Sequence, residues 1–264
     1  MAHLGNPEEA STTCPTESYE CELCRDIEMI EIEPRKFVWC KCHAVKRARR
    51  RLERSGLQYA IDTLTFERYR ADAPWQQDAL ATVKAWVSAT IAGDPGIRPW
   101  LFMGGSVGSG KTHLCTAACG DILLAGHDVR YVLWRETARS LKANINDPEE
   151  YERIMDPLKT VDVLYIDDLF KTQRERVQTN HRGEAYRPTV QERVSEAETR
   201  IAFELLDARY RMNRPTVISC EWLMDELMQI DDGVASRIYE RSNGYRVGIG
   251  RADGRNMRLN GGVA

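Results

Sequence analysis

Residues 105–112 read GSVGSGKT, a complete G-x-x-x-x-G-K-[ST] pattern. It is the most constraining feature of the chain, because it requires a strand before it and a helix after it. Both are present in the sequence: PWLFMGG (99–105) is an apolar run ending in glycines, and a helical pattern follows over about 111–125. Gly105, Ser106, Val107, Gly108, Ser109 and Gly110 can turn successive backbone N–H groups inward as an anion nest at the positive end of that helix. Lys111 is placed to neutralise β- and γ-phosphates, and the Thr112 hydroxyl to ligate Mg²⁺. The motif therefore calls for a nucleoside triphosphate and Mg²⁺.

A second element completes this chemistry. VDVLYIDDLF (161–170) reads as a buried strand that ends in two aspartates. Ligands of parallel sheets sit at the carboxyl ends of strands. Asp167 is the expected Mg²⁺ carboxylate, and Asp168 is placed to orient and activate an attacking water. Further buried strands are expected at HDVRYVLW (127–134), PTVISC (215–220) and YRVGI (245–249). Helices are expected at 76–93, 196–212 and over EWLMDELMQI. Apolar strands alternating with helices give an α/β fold, a parallel sheet sandwiched by helices. Residues 171–196 are almost wholly polar and read as a loop with some helix.

The N-terminal part has a different character. Residues 1–20 are rich in Ser, Thr, Glu and Pro and read as a disordered leader. Then comes CELCRDIEMIEIEPRKFVWCKCH (21–43), with Cys21 and Cys24 as C-x2-C and Cys40 and Cys42 as C-x-C. Two short cysteine pairs around a hairpin turning at Glu33-Pro34 fit a structural Zn²⁺ site. His43 could stand in for Cys42 as fourth ligand. So small a module has little core, and metal binding would supply its folding energy. AVKRARRRLERSG (44–56) reads as a basic helix ending at Gly56, suited either to DNA phosphates or to plain solvation. Cys115, Cys119 and Cys220 read as buried core residues. The net charge of −3 excludes a global basic field for nucleic acid. No apolar run reaches membrane-span length, so a cytoplasmic protein without membrane contact is the expectation.

Taken in order, GGSVGSGKT, VLYIDDLF, RYRMNRPTVIS and SRIYER resemble the DnaC/DnaI-type helicase loaders of the DnaA/DnaC branch of AAA+ ATPases. CELC…CKC, the basic stretch and TLTFERY are similar to the zinc module and linker of many such loaders, so the likeness covers about 21–258. The resemblance implies that the nucleotide is ATP and that Arg237 is an arginine finger acting in trans on a neighbouring protomer's ATP. It places Ser219 near the sensor-1 position, although Ser219-Cys220-Glu221 departs from the usual Ser/Thr–Asn pair. It brings Thr65 to Tyr69 near the adenine. WRETARSLKANI (134–145) matches the additional helix that faces single-stranded DNA, which makes Trp134 and Lys142 candidate DNA contacts. Trp134 is equally suited to burial at its strand end. Only 27 residues follow Arg237, so no three-helix lid is expected and stand-alone ATPase activity should be weak.

The expected layout is a leader (1–20), a zinc-binding helicase-docking module with its basic helix (21–56), a linker (57–75) and a lidless AAA+ domain (76–264). The implied function is ATP-dependent loading of a hexameric replicative helicase onto single-stranded DNA, through a self-assembled ring or spiral. The alternative is an IstB-like ATPase that assists a transposase, which the four-cysteine module disfavours.

Overall fold

The structure, a computed structural model, describes residues 19–93, 100–171, 178–179, 185–186, 194–250 and 255–257. The expected leader with Cys14, and most of the polar 171–196 segment, lie outside the described residues. The chain divides into two compact units, 1–47 and 48–264.

In the first unit, strands β1 (Met29–Glu33) and β2 (Lys36–Trp39) form an antiparallel hairpin with Met29 opposite Trp39 and Ile30 opposite Val38. The hairpin turns at 34–35, one residue beyond the expected Glu33-Pro34. Arg35 adopts φ 66°, and its N–H donates to Glu31 Oε1 at 2.8 Å. Helix α1 (Lys41–Ser55) then carries the basic stretch, starts one residue past Cys40 and crosses the division between the units.

The second unit is built on one five-stranded sheet. Its elements are α2 (Pro74–Ala92), β3 (Trp100–Gly105), α3 (Lys111–Leu124), β4 (Val129–Leu133), α4 (Trp134–Ala143), α5 (Pro148–Thr160), β5 (Val163–Leu169), the short pair β6 (Gln178–Thr179) and β7 (Ala185–Tyr186), α6 (Glu196–Arg211), β8 (Thr216–Cys220), α7 (Met224–Ile230), α8 (Asp232–Arg241) and β9 (Arg246–Ile249). The strand order is β4-β5-β8-β3-β9, and every pairing is parallel. Side chains alternate across the sheet. Trp100, Phe102, Leu164, Ile166 and Ile218 enter one core, packed with α4 to α8. Leu101, Met103, Tyr165 and Val217 enter the other, packed with α2 and α3. Both faces are covered, which explains why the strands read as apolar throughout.

Residues 57–75, read from sequence as a connection, pack against the second core through Leu57, Phe66 and Tyr69. Two helices go unpredicted in the sequence. α5 opens at Asp147, whose side chain accepts from Glu150 N, with Pro148 at the first helical position. α8 opens at Asp231, which accepts from Val234 N at 2.8 Å. Among the described residues no helix is long and apolar enough to cross a membrane.

Candidate functional site

β3 delivers the glycine-rich loop at its carboxyl end, between β8 and β9. The approach is close: a Cβ on Gly105 would lie 2.1 Å from Ile249 O, and Ser106 N donates to that carbonyl at 2.7 Å. Gly108 and Gly110 adopt φ 73° and 84°, conformations that a side chain would strain. Lys111 opens α3 and is buried. Its Nζ donates to Gly105 O and Ser106 O at 2.9 and 2.7 Å, so the ammonium lies inside the loop. Burial pushes its pKa below the ordinary lysine value. The loop lines a cavity of about 490 Å³, shared with Arg68, Arg70, Asp168, Lys171, Glu221 and Met257.

The two aspartates at the end of β5 have opposite surroundings. Asp167 is 4% exposed. Its Oδ1 accepts from Tyr165 at 2.8 Å, from Thr112 at 3.4 Å and from Ser219 Oγ, and its Oδ2 accepts from Tyr131 at 3.2 Å. Burial pushes both phenols above the ordinary tyrosine range, so each remains a donor. The β5–β8 register then slips between Ile166 and Leu169, and Asp168 takes φ 57°. This irregularity turns Asp168 toward the cavity, where Lys171 pairs with it at 2.8 Å and with Glu221 at 3.0 Å. Thr112 and Asp167 offer hard oxygen donors of the kind that Mg²⁺ takes.

In the first unit, the sulfurs of Cys21, Cys24, Cys40 and Cys42 all lie within 4.8 Å of one another. Cys21 Sγ is 3.8 Å from Cys40 Sγ, and Cys24 Sγ is 3.4 Å from Cys42 Sγ. Four thiolates at about 2.3 Å from a tetrahedral zinc would stand roughly 3.8 Å apart, so the set fits that ion. The separations are far longer than a disulfide bond. Backbone hydrogen bonding at the first knuckle, chiefly from Cys24, lowers the Cys21 thiol to about 7 and favours a thiolate ligand. His43 is engaged elsewhere: its Nδ1 lies 2.6 Å from Glu28 Oε2 and its ring stacks on Trp39 at 4.0 Å.

The model of the bacterial DnaA ATPase domain matches residues 65–182. Among curated proteins, the phage-like element PBSX protein XkdC of Bacillus subtilis (strain 168) is 29% identical, over 92% of this chain and 87% of its own length. The replicative helicase loader DnaC of Escherichia coli (strain K12) is 27% identical, over 73% of this chain and 68% of its own. A crystal structure of the DnaC helicase loader superposes with a TM-score of 0.55 at 20% identity, covering 70% of this chain and 96% of that one. The second unit has a DnaA/DnaC-like AAA+ fold.

The AAA+ unit brings Gly105 to Thr112, Asp167 and Asp168 together at one end of the sheet, as the motifs require. Ser219 is buried beside them and bonds both aspartates: its Oγ donates to Asp167 and accepts from Asp168 N at 3.1 Å. Arg237 lies apart on α8. Its Nε and Nη2 donate to Asp207 Oδ1 at 3.0 and 2.8 Å, and its guanidinium covers Phe203 at 4.3 Å. Arg209 is wholly enclosed and bonded to backbone carbonyls, which makes it a structural residue rather than a finger.

Trp134 corrects an expectation. Its side chain is 0% exposed, packs edge-on to Phe170 and donates Nε1–H to Glu198 at 2.9 Å, so it presents nothing to a DNA strand. Lys142 pairs with the same Glu198 at 3.3 Å and keeps 36% of its side chain exposed. Sequence reasoning also missed Tyr131, Lys171 and Glu221. The signals available were a tyrosine amid strand residues, a lysine three residues past Asp168 and an acid directly after β8.

Proposed function

We propose that this protein is an ATP-dependent loader that binds a replicative DNA helicase and delivers it to single-stranded DNA. One observation carries the reading: a single chain joins a nucleotide cavity of the DnaA/DnaC type to a cysteine module with exposed apolar surface. Phe37 and Trp39 on β2 are 57 and 65% exposed, and Leu23 and Ile27 in the segment before the hairpin are 59 and 68% exposed. Isolated exposed apolar residues are ordinary, whereas a cluster on so small a unit suits a docking face. The four cysteines would hold Zn²⁺ and keep the hairpin rigid.

In the AAA+ unit, Gly105 to Gly110 cradle the phosphates, and Lys111 exchanges its loop carbonyls for β- and γ-phosphate oxygens. Thr112 and Asp167 would hold Mg²⁺. When bound, that ion neutralises charge on the transferring phosphoryl group. Asp168 leaves Lys171 and orients the attacking water. Arg237 leaves Asp207 and reaches the ATP of an adjacent protomer, which ties hydrolysis to a ring or spiral and leaves the isolated chain a weak ATPase. Lys142 and the basic α1 are the candidate DNA contacts, and the protein acts in the cytoplasm.

Native mass spectrometry of the protein with its host's replicative helicase, with and without ATP, tests this directly. A zinc-bearing complex that is lost when residues 1–55 are removed supports the loader. Full-length, zinc-loaded protein that never binds the helicase refutes it.

A further inference from the structure

Asp167 poses an electrostatic puzzle. It is buried, yet among the described residues it has no ion-pair partner. Among the described residues its carboxylate accepts from four neutral hydroxyls, those of Thr112, Tyr131, Tyr165 and Ser219. A buried carboxylate is expensive unless it is paired or binds a metal. Hydroxyl donors reduce that cost through hydrogen bonds but leave the full negative charge in place. An arginine or lysine at the same spot would orient the group and cancel its charge together.

The two phenols reach Asp167 through sheet register. Tyr165 lies two residues earlier on β5, hence on the same face of the strand. Tyr131 is its direct neighbour on β4, paired Tyr131↔Tyr165. The rings meet edge-on, with centroids 5.2 Å apart at 66°. That contact holds the two hydroxyls on different carboxylate oxygens, Tyr165 on Oδ1 at 2.8 Å and Tyr131 on Oδ2 at 3.2 Å. Bonds to both oxygens fix the rotation of the carboxylate plane, which one bond cannot do. A purely structural pair of core tyrosines needs one acceptor each and has no reason to converge on the single carboxylate that faces Thr112. The chain leaving α1 runs beside this residue: a Cβ on Gly56 would lie 3.7 Å from Tyr131 Cδ1.

The geometry assigns Tyr131 and Tyr165 as positioning residues for a magnesium-binding carboxylate: neutral donors that aim Asp167 by holding both of its oxygens. This rests on the nucleotide reading given above. Groups that orient a metal's ligands typically change metal affinity by about 10- to 100-fold when removed.

The test uses the full-length chain with Tyr131→Phe and Tyr165→Phe, each close to isosteric. ATP binding is measured by isothermal titration calorimetry in EDTA and over a magnesium series. Each variant should need about tenfold more Mg²⁺ for half-maximal tightening of ATP binding. Affinity in EDTA should stay within about twofold of wild type, because the loop and Lys111 are untouched. An unchanged magnesium requirement in both variants overturns the assignment. An equal loss of affinity in EDTA also overturns it, since the phenols would then support the site only as packing. Wild-type protein whose ATP affinity ignores Mg²⁺ would overturn the nucleotide reading itself, and the assignment with it.

Discussion

Replacing Arg209 with methionine should destabilise the AAA+ unit by about 3 kcal/mol without touching the nucleotide cavity. The side chain is 0% exposed and sits between α5, β5 and β8. Nη1 donates to Leu158 O at 2.8 Å, Lys159 O at 3.2 Å and Val161 O at 3.0 Å. Nη2 donates to Pro215 O at 2.6 Å and Nε to Thr216 Oγ1 at 2.9 Å. Leu158 and Lys159 lie in the last turn of α5, where carbonyls have no partner inside the helix. The guanidinium thus closes the helix end and ties it to the start of β8. Methionine fills a similar volume and donates nothing. Pro215 O keeps its bond from Leu164 N, and Thr216 Oγ1 still donates to Arg214 O. The main loss falls on the carbonyls of Leu158 and Val161, at about 1–3 kcal/mol for each buried acceptor left unmet. Removing an enclosed charge returns part of its desolvation cost, which keeps the total near the lower end.

For a unit of this size, about 3 kcal/mol corresponds to a Tm lowered by roughly 6–12 °C. Urea unfolding followed by tryptophan fluorescence is a direct assay, because Trp100 donates to Arg214 O close to the altered site. Arg209→Lys keeps the charge but loses the planar fork and should fall about midway. Below its transition, the methionine variant should bind ATP as the wild type does. A loss under about 1 kcal/mol would refute the carbonyl-cage argument. A folded, stable variant that had lost ATP turnover would refute the structural assignment of Arg209.

Other expectations follow from the same geometry. Lys111→Ala should abolish ATP binding at millimolar nucleotide in a filter or calorimetric assay, while thermal stability stays near wild type. Asp168→Asn should cut ATP hydrolysis by about 100-fold or more with ATP affinity within a fewfold, because a general-base role contributes about that factor. Chelating zinc should open residues 21–40 to limited proteolysis and leave the melting of the second unit unchanged, since metal binding is worth on the order of 10 kcal/mol to modules of this kind. Trp134→Ala should destabilise the unit by about 3–5 kcal/mol in urea unfolding, the cost of emptying a tryptophan's place in a core.

Much of this was readable from residues alone because the decisive signals are local. A strand, a glycine turn and a helix stand in sequence around GSVGSGKT, and the two cysteine pairs bracket their own hairpin. What stayed hidden depends on distant partners. Trp134 reads equally as an exposed aromatic or a core residue until Glu198, on α6, takes its indole N–H. Arg209 reads as one arginine among several near a helix end, and its role appears only when the carbonyls ending α5 close around it. α5 itself is masked by Pro157, which looks like a helix stop, and by an apolar pattern with only Met155 and Leu158 buried. The Asp147-Pro148-Glu149-Glu150 start was the local signal that would have found it.

The adjacent aspartates show how far local pattern can go before register takes over. The sequence DD at a strand end suits two roles, but alternation alone would simply turn the side chains to opposite faces. The slip between Ile166 and Leu169 on the β8 side changes that, because Asp168 takes φ 57° while Asp167 stays in register with Leu133 on β4. Asp167 is consequently surrounded by hydroxyls drawn from β4, β5, β8 and α3 and is buried. Asp168, one residue on, meets Lys171 and the open cavity. Two like side chains are thereby given unlike tasks by environment, one suited to holding a cation and the other to handling a proton. The bulge is the feature that separates them. An extra residue or a deletion at 167–169 should therefore disable the site even with both aspartates retained.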